Sequence, residues 1–272
     1  MENNILLLNP IQKDYIWGTE KWLFSSLHQE LPSVPFLIKE ILSRQALSLQ
    51  VHPDDAFARL MEGSPGKTEM WYILDCPSDA FLYYGLKHRV SLEELTKRIE
   101  NRTILEICRK VPVRRGEVFY LPAGIIHAIG PGIRLLEIQQ NSHITYRIYD
   151  YDRKDRDDQP RPLHIEKALQ VSHYLPPCFG HEPMGCQSRK EGYSKTLLTE
   201  CLYFKAILYD IEESVELSGK DLQALIVLEG SGEISWKHSA ISIRSKDTLF
   251  LPQTANRYTV RGHLRAVCVS PA

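Results

Sequence analysis

Charge of one sign is what this chain has least of: 33 lysines and arginines meet 34 aspartates and glutamates over 272 residues, a formal net charge of −1. Such balance gives no electrostatic reason to expect nucleic acid or a membrane surface as a partner, and leaves a small-molecule site as the expectation. Closely spaced cysteines are also missing. Cys76, Cys108, Cys178, Cys186, Cys201 and Cys268 are scattered without a CxxC, which points to reduced thiols rather than a disulfide framework. No window approaches the ~20 apolar residues of a membrane span, and the short run Ile5 to Leu8 has no basic segment before it, so a cytoplasmic protein is expected. Apolar residues make up 43%, enough for cores in one large or two ordinary domains.

What is present reads mainly as short strands. An amphipathic piece, Glu20 to Leu27, suggests a small helix in an entry arm. Phe36 to Ile41 and Ala46 to His52 suggest a hairpin turned at Ser43-Arg44-Gln45. Pro53 as a first helical residue, followed by Asp54 and Asp55, starts a helix that Gly63-Ser64-Pro65-Gly66 ends. Ser91 with Glu94 forms a capping box for a second helix whose buried face is Leu92, Leu95 and Ile99. Between Gly116 and Ile148, strands alternate with glycine and proline turns in the manner of an antiparallel barrel. Tyr149 to Arg161 is a charged, turn-rich stretch, and His164 to Ser172 has helical spacing. Residues 175–195 have linker composition, and strand signals resume from Leu202. The expected division is therefore a metal-binding barrel with helical insertions over 1–160, a crossover helix and linker over 161–195, and a degenerate β domain over 196–272. Lys246 to Pro252 repeats the rhythm of Gly116 to Pro122, with Arg257 where a copy of His127 would fall.

The candidate chemistry lies in three places. In an extended Ser48-Leu49-Gln50-Val51-His52, alternation puts Leu49 and Val51 on one face and Gln50 and His52 on the other. The pattern GxxxxxPxGxxH, formed by Gly116, Pro122, Gly124 and His127, reads as a strand and tight turn that deliver one histidine. Glu69, in the strand-like Lys67 to Tyr72, adds a carboxylate. Either histidine alone reads as an ordinary barrel-mouth residue, but the turn devices favour a ligand. Two imidazoles, a carboxylate and an amide oxygen suit a borderline divalent ion such as zinc.

The GxxxxxPxGxxH run matches the second cupin motif. The segments SLQVHPDD (48–55), GKTEMWYIL (66–74), LPAGIIHAIGPG (121–132) and LLEIQQNSHITYRIYDYDR (135–153) together resemble the short bacterial type I mannose-6-phosphate isomerases. The likeness extends to PFLIKEIL (35–42), HIEKAL (164–169) and, weakly, the C-terminal residues. It implies a mainly β fold of two cupin-type (jelly-roll) β-barrels with a few short helices. The activity implied is a zinc-dependent aldose-ketose isomerase that interconverts mannose 6-phosphate and fructose 6-phosphate through a cis-enediol. It places one Zn2+ per chain on Gln50, His52, Glu69 and His127, cations near substrate oxygens or phosphate at Lys67 and Arg147, and a proton-shuttling base at Glu137. The expected partner is a small sugar phosphate, with no nucleic acid and no membrane, on a monomer or homodimer.

Two departures stand out. The family usually has aspartate where this chain has His143, and the family's GExW-type strand segment is not visible before Pro35. They motivate the alternative of a non-catalytic or altered-specificity sugar-phosphate-binding cupin. A different cupin enzyme, such as an iron-dependent dioxygenase, is the third reading, and Gln50 with Glu69 argues against it. His143, His164 and His173 are expected to be surface or supporting residues.

Overall fold

In the computed structural model, residues 4–154 and 158–272 are described, so the charged stretch 149–161 is seen apart from 155–157. The chain forms two compact units: one of residues 12–21 and 38–181, the other of 1–11, 22–37 and 182–272. This differs from the expected boundaries at 160 and 195. Leu6–Leu8 pairs antiparallel with Thr248–Phe250, and Phe24 stacks on Phe36 and reaches Phe250, which ties early segments to the C-terminal sheet. The helix Ile165–Val171, expected in a linker, instead buries Ala168 with Leu49, Val51 and Ile148 inside the unit of 12–21 and 38–181.

Two sheets carry the residues of the unit 12–21 and 38–181. One has five strands in the order Tyr146–Tyr149, Leu49–Val51, His127–Ile129, Phe81–Leu86, Cys108–Pro112. The other has six, in the order Ile11–Tyr15, Gly18–Phe24, Phe36–Ser43, Arg134–Gln140, Glu69–Asp75, Val118–Leu121. Ile41, Trp71, Ile73, Leu82, Phe119, Ile129 and Leu135 form one buried cluster of this unit. A second cluster holds Leu49 and Val51 with Leu95 and Ile99 of the helix Leu92–Glu100. Fully burying each such side chain contributes roughly 1.5–3 kcal/mol, so the short strand Leu49–Val51 is fixed by packing although it has only three residues. Its face is settled by the alternation read from the sequence.

Two expectations fail, both for non-local reasons. Phe36–Ser43 and Leu49–Val51 are not a hairpin, because they lie in different sheets. The connecting backbone bonds elsewhere: Arg44 and Gln45 N–H donate to Trp17 O at 2.8 and 2.9 Å, and Leu47 N–H to Ile129 O at 2.8 Å. Glu20 to Leu27 is no helix. Gly18–Phe24 is a strand whose Gly18, Glu20, Trp22 and Phe24 are buried in alternation, with Leu23 buried as well, so a strand segment does precede Pro35.

The helix starts were more legible. Asp54 Oδ1 accepts from Phe57 N–H at 2.8 Å to cap Asp55–Glu62, with Pro53 just outside, and Gly63 closes the helix at φ +63. Ser91 Oγ accepts from Glu94 N–H at 3.0 Å. Leu95 and Ile99 are buried as expected, whereas Leu92 is exposed.

The other unit contains a nine-stranded sheet dominated by two 14-residue strands, Gln223–Trp236 and Arg257–Ser270. Its interior is filled by apolar groups including Leu225, Val227, Leu249, Val260 and Ala266. The sequence echo is real in the backbone. Gly116 and Lys246 both adopt positive φ, +91 and +78. Arg114 N–H donates to Glu117 Oε2 at 2.8 Å, and Arg244 N–H to Asp247 Oδ2 at 2.9 Å. Ile125 N–H and Ala255 N–H reach back to Pro122 O and Pro252 O at 3.3 and 2.8 Å. At the position matching His127, Arg257 is exposed and pairs with Glu216 at 2.6 Å. No helix among the described residues is long and apolar enough to cross a membrane.

Candidate metal centre

Cross-strand pairing assembles the centre. His127 lies opposite Gln50 and Tyr84, and Arg147 opposite Gln50. Directly opposed residues share a sheet face, so Arg147, Gln50, His127 and Tyr84 form one row. Glu69 comes from the other sheet, at the start of Glu69–Asp75. Its neighbourhood is tied down by the main chain: Lys67 N–H donates to Pro53 O at 3.0 Å, and Thr68 N–H to Gln140 Oε1 at 2.7 Å. Gly66 is needed there because a Cβ would stand 2.5 Å from the Asp54 carbonyl carbon.

The turn before His127 is equally constrained. Gly124 has φ +91, its N–H donates to His52 O at 2.9 Å, and a Cβ on it would lie 2.5 Å from the His173 ring. The segments bearing the two histidines are therefore joined directly.

His52, Glu69 and His127 are 2%, 0% and 1% exposed. Carbonyl oxygens can only accept, so the contacts of His52 Nδ1 with Ile144 O and of His127 Nδ1 with Ile125 O, both 2.8 Å, place the imidazole protons on Nδ1. Both Nε2 lone pairs then face the Glu69 carboxylate, at 3.6 Å from His52 and 3.4 Å from His127. Burial pushes His127 down to about 4, and burial with the Lys67 charge holds His52 well below its ordinary value, so both rings stay neutral. Burial, together with the Glu137 charge, pushes Glu69 up. Neither Glu69 oxygen receives a well-formed hydrogen bond, although Lys67 Nζ is 2.8 Å from Oε2.

Three donor atoms with inward lone pairs, all within 4.8 Å of one another, fit a cation. For a tetrahedral ion with bonds near 2.05 Å, donor separations are roughly 3.3 Å, close to those found. Gln50 lies beside these three: its amide nitrogen is 3.4 Å from His127 Nε2, and rotation of the amide by a half-turn would present the oxygen instead.

Around this centre lies a buried ionic network that sequence reasoning largely missed. Lys39 is 6% exposed in the otherwise apolar strand Phe36–Ser43, with Nζ 2.9 Å from Glu137 Oε1 and 3.7 Å from Glu20 Oε2. A lysine interrupting Phe36-Leu37-Ile38 was the available signal. Trp71 donates from Nε1 to Glu137 Oε2 at 3.0 Å and meets the His127 ring edge-on at 5.3 Å. Glu137, expected as a base, thus has a donor on each oxygen. Burial would raise its pKa, but the Lys39 and Lys67 charges and those two hydrogen bonds hold it well below the ordinary carboxylate value. A carboxylate so stabilised is a poor proton acceptor.

Lys67 is 5% exposed and lies 3.1 Å from His52 Nε2, within the centre. Arg147 is partly exposed, donates from Nη1 to Pro162 O at 2.7 Å, and has a buried Nε without a hydrogen-bond partner. The sequence-selected residues Gln50, His52, Glu69, His127 and Lys67 are thus brought together, with Arg147 beside Gln50 and Glu137 behind Trp71. His143 stands exposed nearby, and Lys39, Lys13 and Lys67 are among the charges it feels.

The chain as a whole is similar to known mannose-6-phosphate isomerases. Residues 193–271 match the family model described as the mannose-6-phosphate isomerase cupin domain. The chain is 37% identical to the mannose-6-phosphate isomerase ManA of Bacillus subtilis over 254 residues, 93% of this chain and 79% of that protein. The crystal structure of the mannose 6-phosphate isomerase from Bacillus subtilis superposes with a TM-score of 0.89 at 28% identity, covering 98% of this chain and 99% of that one. A zinc-bound mannose 6-phosphate isomerase structure, 14% identical with a TM-score of 0.70, shares the fold over 98% of this chain and 99% of its own.

Proposed function

The chain belongs to the mannose-6-phosphate isomerase family, and on that premise we propose that it interconverts mannose 6-phosphate and fructose 6-phosphate at the centre formed by His52, Glu69, His127 and Gln50, with zinc as the resident divalent ion. The observation carrying this reading is the fully buried Glu69 carboxylate, faced by two neutral imidazoles whose protons point away. Lys67 Nζ meets the Oε2 side of this arrangement at 2.8 Å, but Glu69 Oε1 and the His127 Nε2 lone pair face each other at 3.4 Å, which is unfavourable in a dry site unless a metal ion lies between them.

A bound divalent ion supplies Lewis acidity toward the oxygens on C1 and C2 of the open-chain sugar. The remaining work falls to the protein. Lys67, within reach of both His52 and Glu69, places an ammonium where negative charge develops on the enediol oxygens. Arg147, beside Gln50 in the strand row and with Nε lacking a partner, offers its guanidinium to the phosphate. The Lys39–Glu137–Trp71 set fixes the wall behind His127 and keeps it closed to water.

A coupled isomerase assay on wild type and His127→Ala, with metal content measured on both, tests the reading. The expected outcome is turnover and about one zinc per chain for wild type, with both lost in a variant that remains folded. Zinc and sugar phosphate bound by wild type without turnover would instead favour a sugar-phosphate-binding relative.

A further inference from the structure

The strand Tyr146–Tyr149 lies at the end of its five-stranded sheet, with Leu49–Val51 on its inner side. The outer side of such a strand presents N–H and C=O groups that no further strand takes up, and at Arg147 both go to one residue. Arg147 N–H donates to His164 Nδ1 at 3.2 Å, and His164 N–H donates to Arg147 O at 2.8 Å. Two residues earlier, Pro162 O accepts from Arg147 Nη1 at 2.7 Å. The segment 162–164 therefore grips this arginine at its main-chain N–H, its carbonyl and its guanidinium, while Nε stays buried without a hydrogen-bond partner.

His164 immediately precedes the helix Ile165–Val171, where a side chain ordinarily accepts from the helix's own first N–H groups. His164 makes no such bond. Its Nδ1 serves the neighbouring strand instead, which requires a lone pair there and the ring proton on Nε2. Burial, with the charges of Arg147 on that strand and Lys167 on the helix, holds the ring below its ordinary pKa, and Glu62 of the helix Asp55–Glu62 opposes them. The half-buried ring also has Tyr146 at 6.2 Å. Attachment of the helix to the strand does not depend on this imidazole. Glu62 Oε1 accepts from Tyr146 O–H at 2.8 Å and from Lys167 Nζ at 2.6 Å, and Ala168 is buried in one apolar cluster with Ile148. What the His164 side chain adds is a fixed height and direction for the arginine.

We propose that His164 is a positioning residue: by accepting from the Arg147 main chain it sets where the guanidinium meets the phosphate of the sugar phosphate. The inference rests on the isomerase reading above and gives His164 no contact with the reacting atoms. A phosphate contact made alike before and during the reaction contributes to binding rather than to turnover, so misplacing it raises KM and spares kcat.

The test measures kcat and KM for mannose 6-phosphate, metal content and thermal unfolding for zinc-loaded wild type, His164→Ala, His164→Asn and His164→Gln. Asparagine can put its amide oxygen where Nδ1 stands, whereas glutamine reaches the place of Nε2. Expected is a KM raised about fivefold or more in His164→Ala and His164→Gln, with kcat within about threefold of wild type, zinc unchanged, and KM of His164→Asn within about twofold of wild type. Should His164→Ala fail to fold, the asparagine and glutamine variants decide by the same criterion. A KM unchanged in His164→Gln, a KM as high in His164→Asn as in His164→Gln, or a loss confined to kcat overturns the assignment. Wild type without turnover overturns the isomerase reading, and this inference with it.

Discussion

Replacing Lys39 by methionine removes one ammonium and keeps most of the volume. In the native structure Lys39 Nζ is 2.9 Å from Glu137 and 3.7 Å from Glu20, and Glu137 is 4% exposed. Taking away one partner of a buried ion pair costs about 3–5 kcal/mol, because the remaining charge stays buried, whereas a volume-conserving apolar swap alone costs less than about 1.5 kcal/mol. The two contributions differ in pH dependence. In wild type Glu137 titrates below its ordinary 4.5, so the stability it contributes is fully present above that value and is lost as pH falls through the lower, folded one. In Lys39→Met burial is opposed chiefly by Lys67, and Glu137 rises; the variant's penalty is then largest at neutral pH and shrinks on acidification as Glu137 protonates. Urea unfolding followed by tryptophan fluorescence at pH 7 and near pH 5 measures the gap at both. A gap below about 1 kcal/mol at pH 7, or one equal at the two pH values, refutes the reasoning. Adding Glu137→Gln to Lys39→Met should recover part of the loss at pH 7 and remove its pH dependence.

Two further substitutions follow from the backbone and the core. Gly124→Ala, at φ +91 and against the His173 ring, should cost roughly 1–3 kcal/mol and, on the proposed reading, weaken binding of a divalent ion measurably by competition with a chelator, because the turn delivers His127. Thr248→Val should stabilise the C-terminal unit by about 1 kcal/mol in thermal or urea unfolding, since Thr248 Oγ1 is buried without a hydrogen-bond partner and the matching residue of the other copy is Val118.

These residues also show what a sequence can and cannot disclose. Gln50 and His52 were readable as a pair because strand alternation is local, and Gly124 and His127 because a turn needing positive φ writes itself into the residue types. Asp54 and Ser91 announced helix starts for the same reason. Sheet membership is not local. Phe36–Ser43 and Leu49–Val51 looked like a hairpin only because nothing between them shows that Trp17 O and Ile129 O take up the connecting backbone. Gly18–Phe24 carries enough mixed polarity to pass as a helix until its sheet neighbours impose a period of two. Lys39 was overlooked as a functional residue because its carboxylate partners lie 19 and 98 positions away, at Glu20 and Glu137.

The two ring nitrogens that fix the imidazole orientation at His52 and His127 bond to the peptide oxygens of Ile144 and Ile125. Every amino acid carries that oxygen. Point substitution at either isoleucine therefore leaves the tether's chemistry intact, and drift at those codons is buffered so long as the chain path holds. Vulnerability is moved from side-chain identity to insertions, deletions and prolines, the lesions that shift main chain, so the residues around these two rings can change while the rings keep their aim.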